Sequence, residues 1–377
     1  MKLMITFLND SIAKKYAGKT ALLRIDLNIV PGKDSFRLEA IIPTIKLLLK
    51  HRVRVVLLSH RGRPGANKGG DKKEFSLLAF APIIAEHLKV PFDFIVANRV
   101  GGYKKAVAES GARVILLENL RYFKGEEIND PTFARELATL GDFYVNDAFA
   151  VSHRENASVC AITKYLPSFG GLQLEKELKY LGGVMKSPIH PLVVIIGGAK
   201  TSDKLPLIKR FWKDADAFLT GGGPGNTLLA AQGIPMHDSL YDKKLIPEMK
   251  PYAFSEKVYT LADAKMHKVQ VLDIGPETAK EYTEVIKDAR TIIWNGPMGL
   301  FEKEKFSYGT KAIWNAILKN KKATVVVGGG ETIASARLIS NFQFPISKRK
   351  NIFLSTGGGA MLEYLSGKKL PGVEALK

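Results

Sequence analysis

Hydrophobic residues fall in short, continuous runs that are separated by longer stretches with helical spacing of apolar positions. The runs are rich in Val, Ile and Leu, as in RVVLLS (54–59) and PLVVIIG (191–197). Continuous apolarity over such short lengths is typical of strands buried on both faces of a sheet. We predict strands at 21–27, 54–59, 93–97, 113–118, 142–146, 191–197, 216–221, 257–262, 269–275, 290–296, 324–329 and 352–356, with helices at 38–51, 76–88, 130–141 and 309–320.

Alternating strands and helices predict an α/β fold with a doubly wound parallel sheet. The number of strands is too large for one open sheet, so we expect two doubly wound, Rossmann-like domains. The charged amphipathic segment 171–187 lies where the first series of strands ends and is predicted to be a hinge helix between them. We assign residues 1–170 to the first domain and 188–360 to the second, and expect 361–377 to return to the first.

Composition narrows the class of protein. Of the 377 residues, 46% are hydrophobic and 25% are charged, which excludes a disordered or fibrous chain. The single cysteine, Cys160, excludes a disulfide framework and a structural zinc cluster. No apolar stretch approaches the roughly 20 residues of a spanning helix, and the N-terminal apolar run is too short for a signal peptide. We expect a soluble, cytoplasmic monomer with no membrane partner.

Positive charge is in excess, with 56 Lys and Arg against 37 Asp and Glu and a net charge of +19. Such a surplus attracts nucleic acid or phosphorylated metabolites. Residues 1–170 carry 26 basic and 17 acidic side chains and the remainder carries 30 and 20, so the surplus is evenly spread. Because the sequence has no basic arm and no aromatic RNA-binding signature, we expect no dedicated nucleic-acid partner.

Charged and hydrogen-bonding side chains follow the predicted strands of the first half. Ligands of open α/β sheets bind beyond the carboxyl ends of the strands, and arginine forks bind carboxylate and phosphate oxygens. One arginine alone is more often a surface residue, but several at successive strand ends indicate a pocket for a small anion with more than one acidic group. These residues are Arg24, Asp26, Asn28, Arg37, His60, Arg61, Arg63, Arg121, Asn146, Asp147, His153 and Arg154.

Glycine-rich turns follow the predicted strands of the second half instead. They occur in IIGGAK (195–200), LTGGGPGNT (219–227), VVVGGGETIA (325–334) and LSTGGGAML (354–362). Glycines at a strand-to-helix turn let backbone N–H groups approach a phosphate. A single such turn is usually only a tight turn, whereas four in one half indicate a nucleotide site.

Two lysines in GGAKTSDKL (197–205) complete this pattern. Lys200 and Lys204 are four residues apart, so we expect them on one face of the helix that follows the glycine turn. A cation near a helix N-terminus is disfavoured unless an anion lies between. An alternative is that both lysines are simply solvated. An anion pocket and a nucleotide pocket together indicate a transferase that moves phosphoryl groups.

The sequence resembles the phosphoglycerate kinase family over nearly its whole length, from ALLRIDLN (21–28) to GKKLPGVEAL (367–376). The most specific segments are SHRGRP (59–64), LLENLRYFKGEE (116–127), VNDAFAVSHR (145–154), GGAKTSDK (197–204), WNGPMGLFE (294–302) and STGGGA (355–360). The resemblance implies reversible transfer of a phosphoryl group from 1,3-bisphosphoglycerate to Mg-ADP, which gives 3-phosphoglycerate and ATP. It also implies hinge closure that brings the two ligands together.

The resemblance further implies roles for individual residues. Substrate binding falls to Asp26, Asn28, Arg37, His60, Arg63, Arg121 and Arg154, and nucleotide binding to Lys204, Glu302, Gly329, Gly330, Glu331 and Thr332. Lys200, Arg37 and the turn containing Gly357 and Gly358 would stabilise the transferring group. Asp203 and Glu331 would lie near the Mg²⁺ ion. The sequence departs from the family pattern at Glu331, where the usual residue is Asp.

Two alternatives remain open at this point. The first is a protein of the same fold that binds phosphorylated metabolites but has lost the transfer activity. The presence of Arg37, Lys200 and Lys204 together argues against it. The second is a basic nucleic-acid-binding protein, against which the even distribution of charge argues.

Overall fold

The computed structural model describes residues 4–31, 35–64, 72–338 and 349–377. The chain divides into two compact units. The first unit contains Met1–Leu178 and Lys369–Lys377, and the second contains Lys179–Lys368. Each unit is built on a six-stranded parallel sheet with helices, so the predicted fold class is confirmed.

The sheet of the first unit has the order β3-β4-β2-β1-β5-β6, and all of its neighbouring strands are parallel. Strand β1 pairs with β2 on one side and β5 on the other, so the strand order reverses between β1 and β5. The strands are β1 (Thr20–Arg24), β2 (Arg54–Leu58), β3 (Phe92–Ile95), β4 (Val114–Leu117), β5 (Phe143–Asn146) and β6 (Ser168–Gly170).

Both faces of this sheet are buried. Leu23 and Leu57 pack in one core with Ile45, while Leu22 and Val56, which point to the opposite face, are equally inaccessible to solvent. This explains the continuous apolar runs in the sequence. The helices of the first unit are α1 (Asp10–Lys15), α2 (Ser35–Lys50), α3 (Ala81–Leu88), α4 (Val100–Glu109), α5 (Lys124–Glu127), α6 (Pro131–Ala138) and, at the C-terminus, α15 (Pro371–Glu374).

The sheet of the second unit has the order β14-β13-β12-β7-β8-β9 and is also parallel throughout. Its strand order reverses between β7 and β12. The strands are β7 (Leu192–Ile196), β8 (Ala217–Thr220), β9 (Val258–Tyr259), β12 (Thr291–Asn295), β13 (Thr324–Gly328) and β14 (Ile352–Leu354). A separate antiparallel hairpin contains β10 (Ala264–His267) and β11 (Gln270–Ile274).

In the second unit, helices connect the successive strands of this sheet, and a final helix follows the last strand. Trp294 of β12 and Trp314 are fully buried and lie edge to face, with ring centroids 4.7 Å apart. The helices are α8 (Leu205–Phe211), α9 (Gly222–Ala231), α10 (Ile246–Ala253), α11 (Pro276–Asp288), α12 (Tyr308–Lys319), α13 (Gly330–Ala334) and α14 (Gly359–Leu365).

The structure differs from the predicted strands in three places. Segment 269–275 does form a strand, β11, but it pairs in the hairpin and not in the parallel sheet. Most of its side chains are only half-buried, which is what a strand outside a doubly covered sheet allows. Strands β6 and β10 were not predicted, because β6 has only three residues and AKMH of β10 has no apolar run.

Helix α7 (Leu172–Lys186) occupies the segment predicted as the interdomain helix, and the boundary between the units follows Leu178 within it. Its first backbone N–H groups are bound by side chains. Asp147 Oδ1 accepts from the N–H of Gln173 at 2.8 Å and of Leu174 at 3.0 Å, and Thr44 Oγ accepts from Leu172 at 3.2 Å. The start of α7 is therefore fixed by Thr44 of α2 and by Asp147, the residue that follows β5.

The C-terminal residues belong to the first unit from Lys369 onward. Asn146 Nδ2 donates to the carbonyl oxygen of Gly372 at 3.2 Å, and the N–H of Gly372 donates to Ser152 at 2.9 Å. Residues 361–368, which the sequence analysis groups with this segment, are in the second unit. Helix α14 follows β14 directly and buries Met361 and Leu365 there.

Candidate functional site

In both units the candidate residues follow the carboxyl ends of parallel strands, on the edge of the sheet where the strand order reverses. This is where open α/β sheets bind ligands. In the first unit these residues follow β1, β2, β4 and β5. We call them the arginine cluster; it consists of Asp26, Arg37, His60, Arg63, Arg121 and Arg154.

Asp26 and Arg37 form an ion pair in this cluster. Arg37 Nη1 lies 3.3 Å from Asp26 Oδ2, and both side chains are largely buried, at 18% and 7% exposure. Asp26 Oδ1 also accepts from the N–H of Asn28 at 3.0 Å. Asn28 Oδ1 in turn accepts from the N–H of Gly62 at 2.8 Å. The loops after β1 and β2 are thus tied together beside the arginines.

His60 is completely buried in the cluster. Its Nδ1 lies 3.0 Å from Nη2 of Arg24, which is also buried. Its Nε2 has no hydrogen-bond partner among the described residues. Burial, followed by the positive charges of Arg24, Arg121 and Arg154, lowers the pKa of His60 well below its usual value. The ring is therefore neutral at physiological pH.

Arg121 and Arg154 each have a pKa that is lowered by burial and by another arginine of the cluster. Arg121 Nη1 donates to the carbonyl oxygen of Gly62 at 3.0 Å, and its Nε lies 3.6 Å from Glu127. Burial and then the charge of Arg154 lower the pKa of Arg121 to about 10. Burial and then Arg63, which is itself exposed, lower the pKa of Arg154. Cations held together in this way favour an anionic ligand.

The second unit brings its glycine turns together by close backbone contact. At Gly296, where φ is +97°, a Cβ atom would lie only 2.0 Å from the carbonyl oxygen of Gly197. The turns after β7 and β12 therefore touch, and no side chain fits between them. Because glycine has no side chain, a ligand can approach the main chain closely at the point where the strand order reverses.

An apolar cavity of about 590 Å³ opens beside these turns. Its walls are glycine backbone, Leu240, Val271, Leu272 and Leu300, and its polar lining includes Asn226, Glu302 and Glu331. Apolar walls with a few polar groups are typical of a site for the base and sugar of a nucleotide. Glu302 is exposed, so its carboxylate is free to accept hydrogen bonds from hydroxyl groups.

A polar cavity of about 700 Å³ adjoins the apolar one and shares Gly198, Ala199 and Glu331 with it. Its lining contains the predicted nucleotide and metal residues together: Lys200, Asp203, Lys204, Gly329, Gly330, Glu331 and Thr332, with Asn295 and Gly296. A cavity with two lysines, two carboxylates and three glycine turns can hold a chain of phosphates and a cation.

Lys204 is buried in the polar cavity and donates a hydrogen bond to Oδ1 of Asn295. Burial lowers its pKa, while the carboxylates of Asp203 and Glu331 oppose that shift. Lys200, by contrast, is exposed. A buried ammonium group that is held by a neutral amide oxygen is ready to bind an anion.

The prediction that Lys200 and Lys204 share one helical face is wrong. Helix α8 begins at Leu205, and Lys204 is its N-terminal cap. Pro206 occupies the first turn of α8, where its missing N–H costs nothing, and residues 201–204 form a separate turn with Lys204 N donating to Thr201 O at 2.9 Å. Both lysines nevertheless line the polar cavity.

Gly357 and Gly358 lie between β14 and α14. The N–H of Gly357 donates to Ser355 Oγ at 3.0 Å, and Gly358 has a left-handed φ of +46°. Neither glycine is among the described residues that line the apolar or the polar cavity. The structure thus groups the other predicted residues of the second unit, but not these two.

Asn295 is a site residue that the sequence analysis did not select. It is buried at the end of β12, fixes Lys204 through Oδ1, and leaves Nδ2 without a partner among the described residues. The available signal was its position at a strand end within WNGPMGLFE. Arg24 was noted as a strand-end arginine but not given a role in binding.

Protein side chains alone do not form a complete metal site in the described part of the chain, where no three His, Cys, Asp or Glu residues cluster. Asp203 and Glu331 nevertheless line the same cavity as the two lysines. Mg²⁺ commonly takes one or two protein carboxylates and completes its shell with phosphates and water. The donor set therefore fits Mg²⁺ bound together with a nucleotide.

Comparison with known proteins decides the family. The sequence model described as phosphoglycerate kinase matches residues 10–368. The chain belongs to the phosphoglycerate kinase family. A phosphoglycerate kinase of Moorella thermoacetica is 41% identical over 388 residues, covering 95% of this chain and 96% of the relative. One of Chloroflexus aggregans is 39% identical over 396 residues, covering 96% and 97%.

Solved structures of phosphoglycerate kinases agree. The protein from Coxiella burnetii superimposes with a TM-score of 0.78 at 31% identity, and that from Pyrococcus horikoshii with 0.79 at 29% identity. Both comparisons cover 96% of each chain. The predicted family and enzyme class, a phosphotransferase with a carboxyl acceptor, are confirmed. None of the helices in the described residues has both the length and the apolarity to cross a membrane.

Proposed function

We propose that this chain transfers a phosphoryl group reversibly between 1,3-bisphosphoglycerate and ADP, which gives 3-phosphoglycerate and ATP. The observation that carries the proposal is the pair of adjoining cavities in the second unit, one apolar and one lined by Lys200, Lys204, Asp203 and Glu331. Membership of the family over nearly the whole chain supports it.

The arginine cluster binds the phosphoglycerate in this proposal. Arg121 and Arg154 supply positive charge, and Nε2 of His60, which has no partner among the described residues, supplies a neutral hydrogen-bond donor. Arg37, which forms an ion pair with Asp26, adds a further positive charge. Arginine recognises both ends of such a substrate, because its fork matches carboxylate and phosphate alike. Asn28 and Arg63 stay predicted substrate contacts.

The nucleotide lies across the two cavities of the second unit. Its base occupies the apolar cavity, and Glu302 accepts from ribose hydroxyls. Its phosphates occupy the polar cavity, whose lining contains Lys204, Gly329, Gly330, Glu331 and Thr332. Lys204 contributes mainly to binding, because it is buried and held by Asn295.

Catalysis then requires charge stabilisation and little else. An acyl phosphate is already reactive, so the protein needs no covalent intermediate and no strong base. Lys200 is exposed in the polar cavity and is free to follow the moving phosphoryl group. Arg37, Gly357 and Gly358 are proposed to assist from their own loops. Hinge closure around α7, a cytoplasmic location and a monomeric state stay predictions.

Asp203 and Glu331 would hold the Mg²⁺ ion with the phosphates. The ion neutralises charge on the phosphate oxygens when it is bound. Glu331 lines both cavities, so its carboxylate is in reach of the phosphates and of the sugar side of the nucleotide.

A coupled assay tests the proposal. ATP and 3-phosphoglycerate are mixed with the protein and Mg²⁺, and the 1,3-bisphosphoglycerate formed is consumed by a reductive dehydrogenase. We expect Mg²⁺-dependent turnover. Folded protein that binds both ligands and shows no turnover would instead support the protein that only binds phosphorylated metabolites.

A further inference from the structure

A buried arginine lies directly behind His60. Arg24 ends β1 and is only 1% exposed, and its Nη2 lies 3.0 Å from His60 Nδ1. A guanidinium has hydrogen-bond donors and no acceptor, so Nδ1 of His60 must accept. The proton of the neutral ring is then on Nε2, the atom that has no partner among the described residues.

Arg24 is itself held in place by two buried residues. Its Nε donates to Ser158 Oγ at 2.9 Å, and Ser158 Oγ donates to Glu126 Oε1 at 2.6 Å. The N–H of Ser158 donates to the other oxygen of Glu126 at 2.9 Å. Ser158 and Glu126 are both inaccessible to solvent. A chain of hydrogen bonds therefore runs from Glu126 through Ser158 and Arg24 to His60.

Positive groups surround His60 from three segments of the first unit. Protonation of His60 would place an N–H on Nδ1, facing the N–H of Arg24. The contact with Arg24 and the surrounding positive charges therefore both disfavour protonation of His60 to the imidazolium form. The groups that act on it are Arg24 of β1, Arg121 after β4, and His153 and Arg154 after β5.

We propose that Arg24 is a positioning residue for phosphoglycerate binding. It fixes His60 as the neutral tautomer with the proton on Nε2, and Glu126 and Ser158 fix Arg24 for that purpose. His60 then offers an anionic oxygen of the substrate one directed hydrogen bond and no additional charge. This inference rests on the proposed function for the identity of the substrate, but the tautomer itself does not depend on it.

The first test is a long-range ¹H–¹⁵N spectrum of the full-length, histidine-labelled protein, with His60 assigned by the variant His60→Gln. We expect the pattern of a neutral ring protonated on Nε2, unchanged across the range in which an ordinary imidazole with a pKa of about 6.5 titrates. A ring protonated on Nδ1, or one that titrates in that range, would overturn the proposal. This result is independent of any activity.

The second test is the double variant Arg24→Met with Glu126→Gln, which avoids leaving a buried carboxylate without its positive partner. Because burial, Arg121 and Arg154 still disfavour the imidazolium, we expect His60 to stay neutral, its proton to divide between Nδ1 and Nε2, and the KM for 3-phosphoglycerate to rise by roughly twofold or more. The KM for ATP should not change. Ser158→Ala keeps both charges and should give a smaller change in the same direction.

Arg54→Met is the matched control. Arg54 begins β2, at the opposite end from His60, and its guanidinium donates to backbone carbonyl oxygens of Val107, Ser110 and Ala112. We expect no change in the tautomer of His60 or in the KM for 3-phosphoglycerate. If the double variant raised KM and left the tautomer unchanged, the role of Arg24 would be structural only, and the proposal would be wrong.

Discussion

The arginine cluster of the first unit and the two cavities of the second unit occupy equivalent positions in similar sheets, beyond β1 and β5 in one and beyond β7 and β12 in the other. Their chemistry differs. The first site presents charged side chains, and burial, followed by neighbouring positive charges, lowers the pKa of two of its arginines. The second site presents backbone at glycines where an added Cβ atom would clash with its neighbours. It also contains the buried side chain of Lys204.

This difference shows how one fold can bind two kinds of anion. Arginines from several segments bind a small acid with two anionic ends. Backbone N–H groups and a metal ion bind a chain of phosphates. Removal of a side chain should therefore damage the first site more than the second. The exceptions are the two lysines of the polar cavity, Lys200 and Lys204.

Lys200→Ala should have the largest effect. Because Lys200 is exposed and acts on charge that develops during transfer, we expect turnover to fall on the order of 10²-fold or more, with little change in either KM. Steady-state kinetics with both substrates varied measures this. Lys209→Ala, which removes an exposed lysine of α8 that pairs with Glu248, is the control and should be silent. A rise in the KM for ATP alone would show that Lys200 only binds nucleotide.

A mirrored pair of variants tests the division between the sites. Arg121→Met should raise the KM for 3-phosphoglycerate by roughly 10- to 100-fold, the loss of a charge-assisted hydrogen bond, and leave the KM for ATP within error. Lys204→Met should do the reverse. Thermal unfolding of both variants checks that they are folded. If either variant raised both constants together, the two sites would not be independent.

The buried carboxylate of Asp273 makes the free energy of unfolding depend on pH. Asp273 of β11 accepts from the N–H of Gly309 at 2.9 Å, and burial raises its pKa to about 7. The folded state therefore keeps a proton that the unfolded state loses near pH 4. Stability contributed by this group falls as pH rises from about 4 to about 7, by a few kcal/mol at most.

In the variant Asp273→Asn, the free energy of unfolding should fall less between about pH 4 and pH 7. Chemical unfolding at several pH values measures this. Asp238→Asn changes an exposed aspartate and should leave the slope as it is in the wild type. An unchanged slope in Asp273→Asn would mean that the carboxylate is ionised throughout this range.

Glu331→Asp should have the smallest effect. Mg²⁺ demands near-ideal octahedral geometry, whereas Mn²⁺ accepts more oxygen-donor arrangements. Shortening the side chain by one methylene should shift the ratio of Mg²⁺- to Mn²⁺-supported activity by a few-fold and leave the KM for 3-phosphoglycerate unchanged. The competing role is a favourable charge in the first turn of α13. A shifted melting temperature with an unchanged metal ratio would support that role.

Much of the fold could be predicted from the sequence because its strands are buried on both faces. Segments such as 54–59 and 191–197 are continuously apolar for that physical reason. β6 and β10 could not be predicted, since one is too short and the other is polar and largely exposed. Helix α8 begins only at Leu205, after the segment that contains Lys200 and Lys204, and Pro206 suits the first turn of a helix.

The candidate site was predictable where residue type carries the chemistry, as for the arginines and the glycine turns. The hydrogen-bond chain behind His60 was not, because Glu126 and Ser158 lie far from Arg24 in sequence and no spacing relates them. A buried Ser or Glu has no signature in a single sequence. Asn295 was hidden for a related reason, because its value depends on its contact with Lys204.

Single-turnover transfer from labelled 1,3-bisphosphoglycerate to ADP, with enzyme in excess, tests the account most directly. If positioned charges do the work, the label should pass to ATP with Mg²⁺ present, no label should stay on the protein, and Lys200→Ala should slow that step alone. Label recovered as free phosphate, or bound covalently to the protein, would contradict the account.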